Sequence, residues 1–137
     1  MINGVILNKL EKLDEVLHEL ESLGHVKVAT LKKEWIIRRA VERNLQVLSE
    51  IVLDICQRFI SILGESPATT GTAAVKRCVA LGILSAPDPF QKMIQFRNFI
   101  VHRYEQIDVE ILASMCNKHL MDYKQFKTEV LKYVRQN

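Results

Sequence analysis

The sequence predicts an all-α fold, an up-down bundle of about five to six helices, and three observations carry that prediction. An N-terminal row of aliphatic residues recurs at alternating steps of three and four. A second segment keeps a single polar stripe over roughly thirty residues. Later segments open on helix start signals at Asp88, Asp108 and Asp122.

In the first helix Ile6, Leu10, Leu13, Leu17 and Leu20 form the apolar row, with Lys9, Glu11, Lys12, Glu15 and Glu19 on the other faces. Gly24 ends it, since glycine enters the left-handed region without a Cβ penalty. Residues 25–30 are a connector able to hold a strand-like turn, with Thr30 as a cap for the next helix. The second helix runs from about Leu31 to Leu63, on the order of 50 Å at 1.5 Å per residue. Its polar stripe is Arg39, Glu42, Arg43, Gln46, Glu50, Asp54, Gln57 and Ser61. Trp35, Ile36, Ala40, Leu48, Ile51, Val52, Ile55, Phe59 and Ile62 cover enough of the remainder to need two packing partners, one of which a second subunit can supply.

Gly64 to Gly71 is a loop by composition. A short helix comes next over Thr72–Leu81. At Asp88-Pro89-Phe90-Gln91 the aspartate caps, the proline takes the first helical position where no amide is needed, and Gln91 completes a capping box. This fourth helix carries Phe90, Met93, Ile94, Arg97, Val101 and Tyr104. Asp108 caps a fifth, and Asp122 with Gln125 caps a last one bearing Phe126, Val130, Leu131 and Val134. Without a repeat or linker, residues 1–137 read as a single domain.

Bulk composition narrows the function classes. A net charge of +3 permits contact with RNA or an acidic partner without demanding it. Three dispersed cysteines, Cys56, Cys78 and Cys116, argue against a disulfide framework and for a reducing cytoplasm. The N-terminus lacks a basic n-region and an unbroken apolar run, so neither a signal peptide nor a membrane span is expected. Cys116 and His119 have C-x-x-H spacing but no second ligand pair, and zinc normally takes four ligands; no metal site or cofactor is expected. Gly-rich phosphate loops, nucleophile elbows and paired-carboxylate motifs are absent.

The chemistry concentrates in Arg97-Asn98-Phe99-Ile100-Val101-His102-Arg103-Tyr104. Arginine offers a planar fork of donors for phosphate, and histidine exchanges a proton near neutral pH. Asn98 and His102 lie one turn apart on one helix face. Arg97 and His102 lie about 140° apart around an ideal helix. They meet at one phosphate only if the helix ends or bends near His102, or if a second subunit completes the site, as a symmetric dimer does. On the residues alone, Arg97 can equally pair with a nearby acid, His102 be a surface histidine and Tyr104 a half-buried anchor. Against that, a charge set among Phe90, Met93, Ile94, Ile100 and Val101 is costly without a partner or a task. Arg38, Arg39 and Arg43 offer a further RNA-contact surface, with a solvated face paired to Glu42 and Glu50 as the alternative.

The pattern R-N-x-x-x-H-x-Y, set in this helical frame, resembles the signature of the HEPN superfamily of helical ribonucleases, and the trailing tyrosine resembles its HepT-like branch. The likeness covers residues 31–112 well, including Arg38–Gln46, Val52–Ile55, Ala80–Leu84 and Val101–Asp108, and the ends more loosely. The resemblance implies a HEPN-like fold and a metal-independent endoribonuclease acting as a homodimeric toxin. It assigns Arg97 and His102 to catalysis, with Asn98 in support. It also implies a partner, a small MntA-like nucleotidyltransferase antitoxin that transfers AMP to Tyr104. A non-catalytic helical module that partners a nucleotidyltransferase is the alternative; retention of both Arg97 and His102 weighs against it. A purely structural helical dimer would make the polar cluster at 97–104 incidental.

Overall fold

The computed structural model describes residues 4–102, the last three as backbone only, and residues 108–137. Seven α-helices and no strand occur among them. Helix α1 (Gly4–Glu21) buries Ile6, Leu10, Leu13, Val16, Leu17 and Leu20, as its spacing predicts. Gly24 turns the chain with a φ of 65°.

The long second helix is broken. Helix α2 (Val28–Lys33) and α3 (Trp35–Ile62) are separated by Glu34, whose backbone is extended at φ −111° and ψ 94°. The cause lies in the side chains on either side. Leu31 is fully buried and Trp35 is 63% exposed, yet in one continuous helix these two would share a face. The break rotates α3 relative to α2 and raises the helix count above the expected five to six. It also corrects the reading of residues 25–30: Thr30 lies inside α2 rather than capping it, and Lys27 holds the N-cap position. Ahead of α2, Val26 is clasped by one side chain. Its N–H donates to Asn117 Oδ1 at 2.9 Å and its carbonyl accepts from Asn117 Nδ2 at 2.8 Å.

Helix α3 is the axis of the bundle. It buries Val41, Leu45, Leu48, Ile51, Val52, Ile55, Cys56, Phe59 and Ile60. Trp35, Ile36 and Ala40, assigned above to its apolar face, are instead exposed. The buried rows are covered from within the chain by α1, by α4 (Gly71–Ala80), by α5 (Phe90–His102) and by α6 (Val109–Lys118). No second subunit is required to hide them.

Thr70 caps α4, its hydroxyl oxygen accepting from the Ala73 N–H at 3.1 Å. At Gly71 the neighbouring helices come close: a Cβ there would lie 2.5 Å from Ile94 Cγ2 and 3.4 Å from Leu53 Cδ1. The start of α5 departs from the expected capping box. The Asp88–Pro89 peptide is cis, and Pro89 flanks the helix, its carbonyl accepting from the Met93 N–H at 3.3 Å. Gln91 reaches across to the Thr72 carbonyl at 3.5 Å instead of back to its own helix start. Asp108 caps α6 as expected, accepting from the Glu110 N–H at 2.8 Å.

Helix α7 (Leu120–Gln136) starts before Asp122, whose carboxylate engages His119 Nδ1 at 3.1 Å, while Gln125 donates to Glu129. It runs parallel to α3: the Tyr123 and Ser49 hydroxyls share a hydrogen bond of 2.7 Å, and Tyr133 meets Phe59 edge-on. Lys124–Glu21 and Lys127–Asp14 tie it antiparallel to α1. Among the described residues no helix is long and apolar enough to cross a membrane.

Candidate active site

Helix α5 sends Phe90, Met93, Ile94 and Phe96 into the core. Phe90 packs edge-on against Phe126 of α7, and Ile94 lies where Gly71 and Leu53 converge, beside the middle of α3. After the next stretch of chain, α6 packs on α2 and α3 and fastens Asn117 to Val26.

Arg97 is placed one turn after Met93, where the apolar face meets the surface. Its Nη1 donates to Asn98 Oδ1 at 3.2 Å. Its Nε is buried and has no hydrogen-bond partner among the described residues. Leaving a buried donor unsatisfied costs about 1–3 kcal/mol. Among the described residues the guanidinium thus retains donor capacity at the rim of the core, with Asn98 holding one edge. Asn98 is itself half-buried, and Phe99 packs against the core beside it.

The structure therefore joins Arg97 and Asn98 directly. The backbone is helical through His102, so the separation of about 140° between Arg97 and His102 persists around α5. The His102 side chain and the whole of Tyr104 lie outside the described residues.

The three arginines of α3 divide. Arg38 is committed inward, its Nη1 donating to the Leu31 carbonyl at 3.3 Å and its Nε 4.0 Å from Glu42. Arg39, 71% exposed, approaches the same carboxylate only at 3.9 Å. Arg43 is exposed.

No cluster of three or more histidine, cysteine, aspartate or glutamate side chains suited to a metal occurs among the described residues. At Cys116 burial raises the thiol to about 11, which keeps it protonated and a poor ligand, and His119 is held by Asp122. An open groove of about 280 Å³ between residues 82–85 and α7 is lined by Ser85, Glu129 and Tyr133 among others, and by none of the sequence-predicted site residues.

Sequence reasoning passes over two polar features. Ser49 and Tyr123 form a buried hydroxyl pair, and burial pushes the Tyr123 phenol up. The signal for Ser49 is its place one turn after Leu45 on an apolar row. Asn117, visible in the sequence only within the C-x-x-H stretch, is the clasp on Val26; a contact across so much sequence leaves no local trace.

A family model described as ribonuclease HepT-like matches residues 6–130. An mRNA nuclease HepT from Shewanella oneidensis is 25% identical over 130 residues, covering 91% of this chain and 95% of that one. Among solved structures, a toxin–antitoxin with AMP-PNP superposes with a TM-score of 0.84 at 19% identity, covering 95% of this chain and 99% of the other. A tri-AMPylated Shewanella oneidensis HEPN toxin in complex with MNT antitoxin gives 0.84 at 20% identity, covering 96% and 99%.

Proposed function

The chain belongs to the HepT-like ribonuclease family, and from that premise we propose that it is the toxin half of a toxin–antitoxin pair, a metal-independent endoribonuclease folded as a single domain and working in the cytoplasm. The observation that carries this reading is Arg97: a guanidinium anchored by Asn98 at the edge of the core, with a buried Nε that no described residue satisfies. A phosphate supplies what that group lacks, and arginine binds phosphate through paired N–H donors.

In the proposed reaction His102 takes the proton of a ribose 2′-hydroxyl. The 2′-oxygen attacks the adjacent phosphorus, and the bond to the 5′-oxygen of the next nucleotide breaks. A general acid returns a proton to that oxygen, leaving a 2′,3′-cyclic phosphate and a 5′-hydroxyl. Arg97 stabilises the charge that gathers on the phosphoryl oxygens, and Asn98 holds its guanidinium in place. Dependence on the 2′-hydroxyl makes RNA rather than DNA the substrate. Since Arg97 and His102 diverge around α5, a homodimer that sets two copies of the motif across one cleft completes the site and supplies both base and acid.

Silencing depends on the neighbouring tyrosine. A nucleotidyltransferase antitoxin directs the Tyr104 phenol at the α-phosphorus of ATP, the phenolic proton is lost and pyrophosphate leaves. AMP on Tyr104, two residues from His102, would then obstruct the cleft and repel RNA through its phosphodiester charge. The similar Shewanella toxin, tri-AMPylated and bound to its antitoxin, supports this assignment.

The test is cleavage of mixed cellular RNA in EDTA by protein made without antitoxin and verified as unmodified by intact mass, beside His102→Ala. Cleavage by the wild type alone is expected. Cleavage by both removes His102 from the chemistry, and cleavage by neither favours the non-catalytic module that partners a nucleotidyltransferase.

A further inference from the structure

Trp35 is the only tryptophan of the chain, and it stands in water at 63% exposure with Ile36 beside it at 66%. Both open α3 directly after the Glu34 break. Their surroundings are cationic. From Lys32 to Arg43 five cations face two carboxylates, a surplus of three that equals the net charge of the whole chain. Arg39 comes one turn after Trp35 and Arg43 two turns after it, along one stripe and about 6 Å apart per step. Lys32, Lys33 and Arg43 are exposed, and Arg39 meets Glu42 only loosely.

We propose that Trp35, Arg39 and Arg43 form a platform for single-stranded RNA, the indole stacking on one base and the two guanidiniums holding adjacent phosphates. This rests on the ribonuclease reading, and it adds the residues that bring the substrate in.

Charge and area select RNA over a protein occupant. Protein interfaces deplete lysine from their core, whereas here two apolar side chains stand beside exposed Lys32 and Lys33. A stable dimer buries about 800 Å² per partner, far more than one indole and one isoleucine provide. Stacking on an aromatic ring beside basic groups is, by contrast, how single strands are held without sequence readout.

The sole tryptophan makes the proposal directly readable. His102→Ala protein in EDTA, which removes the proposed cleavage, is titrated with a single-stranded twelve-nucleotide oligoadenylate while Trp35 emission is monitored. Saturable quenching is expected. Binding is then measured by anisotropy of the labelled oligonucleotide, and it should weaken about tenfold for Trp35→Ala and far less for Trp35→Phe. Arg39→Gln with Arg43→Gln should lower the slope of log affinity against log salt by about 1.4, since each phosphate contact on a single strand contributes about 0.7. These side chains are exposed, and circular dichroism checks that the variants fold. RNA binding that leaves Trp35 emission unchanged would overturn the proposal, as would emission that shifts with protein concentration alone, the mark of a second copy covering the face. Quenching without wild-type cleavage would retain the platform and reject the nuclease; cleavage with silent emission would do the reverse.

Discussion

Two polar pairs interrupt the apolar surfaces of this bundle, and they are built differently. Ser49 and Tyr123 meet between α3 and α7, both fully buried, and each hydroxyl satisfies the other at 2.7 Å. Arg97 and Asn98 meet at the rim of α5, where a group with five N–H donors makes, among the described residues, one bond of 3.2 Å to its neighbour and keeps a buried Nε without a described partner. The first pair is complete and belongs to the architecture. Among the described residues the second is not complete, and under the proposed function a phosphate supplies the remaining partner. Burial and polarity are common to both pairs; among the described residues the state of their donors is what differs.

The largest effect expected from disturbing this contrast is on the complete pair. Tyr123→Ala removes a fully buried aromatic ring and orphans Ser49, and should cost about 3–5 kcal/mol in urea unfolding. Loss of Arg97 should act on turnover instead. Arg97→Met is expected to lower RNA cleavage by about 10²–10³-fold, the range for removing a transition-state donor, while stability to unfolding is not lowered, since the change removes a buried donor without a described partner. An unfolding loss as large as that of Tyr123→Ala would erase the distinction between the pairs.

Smaller changes sharpen it. Gly71→Ala forces a methyl against Ile94 Cγ2, a stiff β-branched group, and should destabilise by about 1–3 kcal/mol. Tyr123→Phe keeps the packing and strands only the Ser49 hydroxyl, at about 1–2 kcal/mol. The smallest effect is chemical. With its thiol raised to about 11, Cys116 is expected to resist iodoacetamide at pH 8 in the folded protein and to react once urea exposes it; rapid native labelling, located by peptide mass, would contradict the burial.

How much of the molecule is legible in the sequence depends on the range of the interactions. The α1 row, the turn at Gly24 and the Asp108 cap depend on residues within a turn of each other, and each is readable. Glu34 is not, since its break answers to where Leu31 and Trp35 must face, which tertiary packing decides. Gln91 escapes the sequence reading for the same reason, drawn to Thr72 on another helix. The motif at 97–104 is visible because its residues are contiguous. That Arg97 and Asn98 bond to each other, and that no described residue partners Nε, becomes apparent only with the side chains in place.

The most direct test of the role of Arg97 is RNA cleavage by Arg97→Met in EDTA, measured beside wild type at equal folded concentration. A loss of at least hundredfold is expected if the unsatisfied guanidinium serves the scissile phosphate. Cleavage at the wild-type rate would mean that Arg97 has no part in the chemistry.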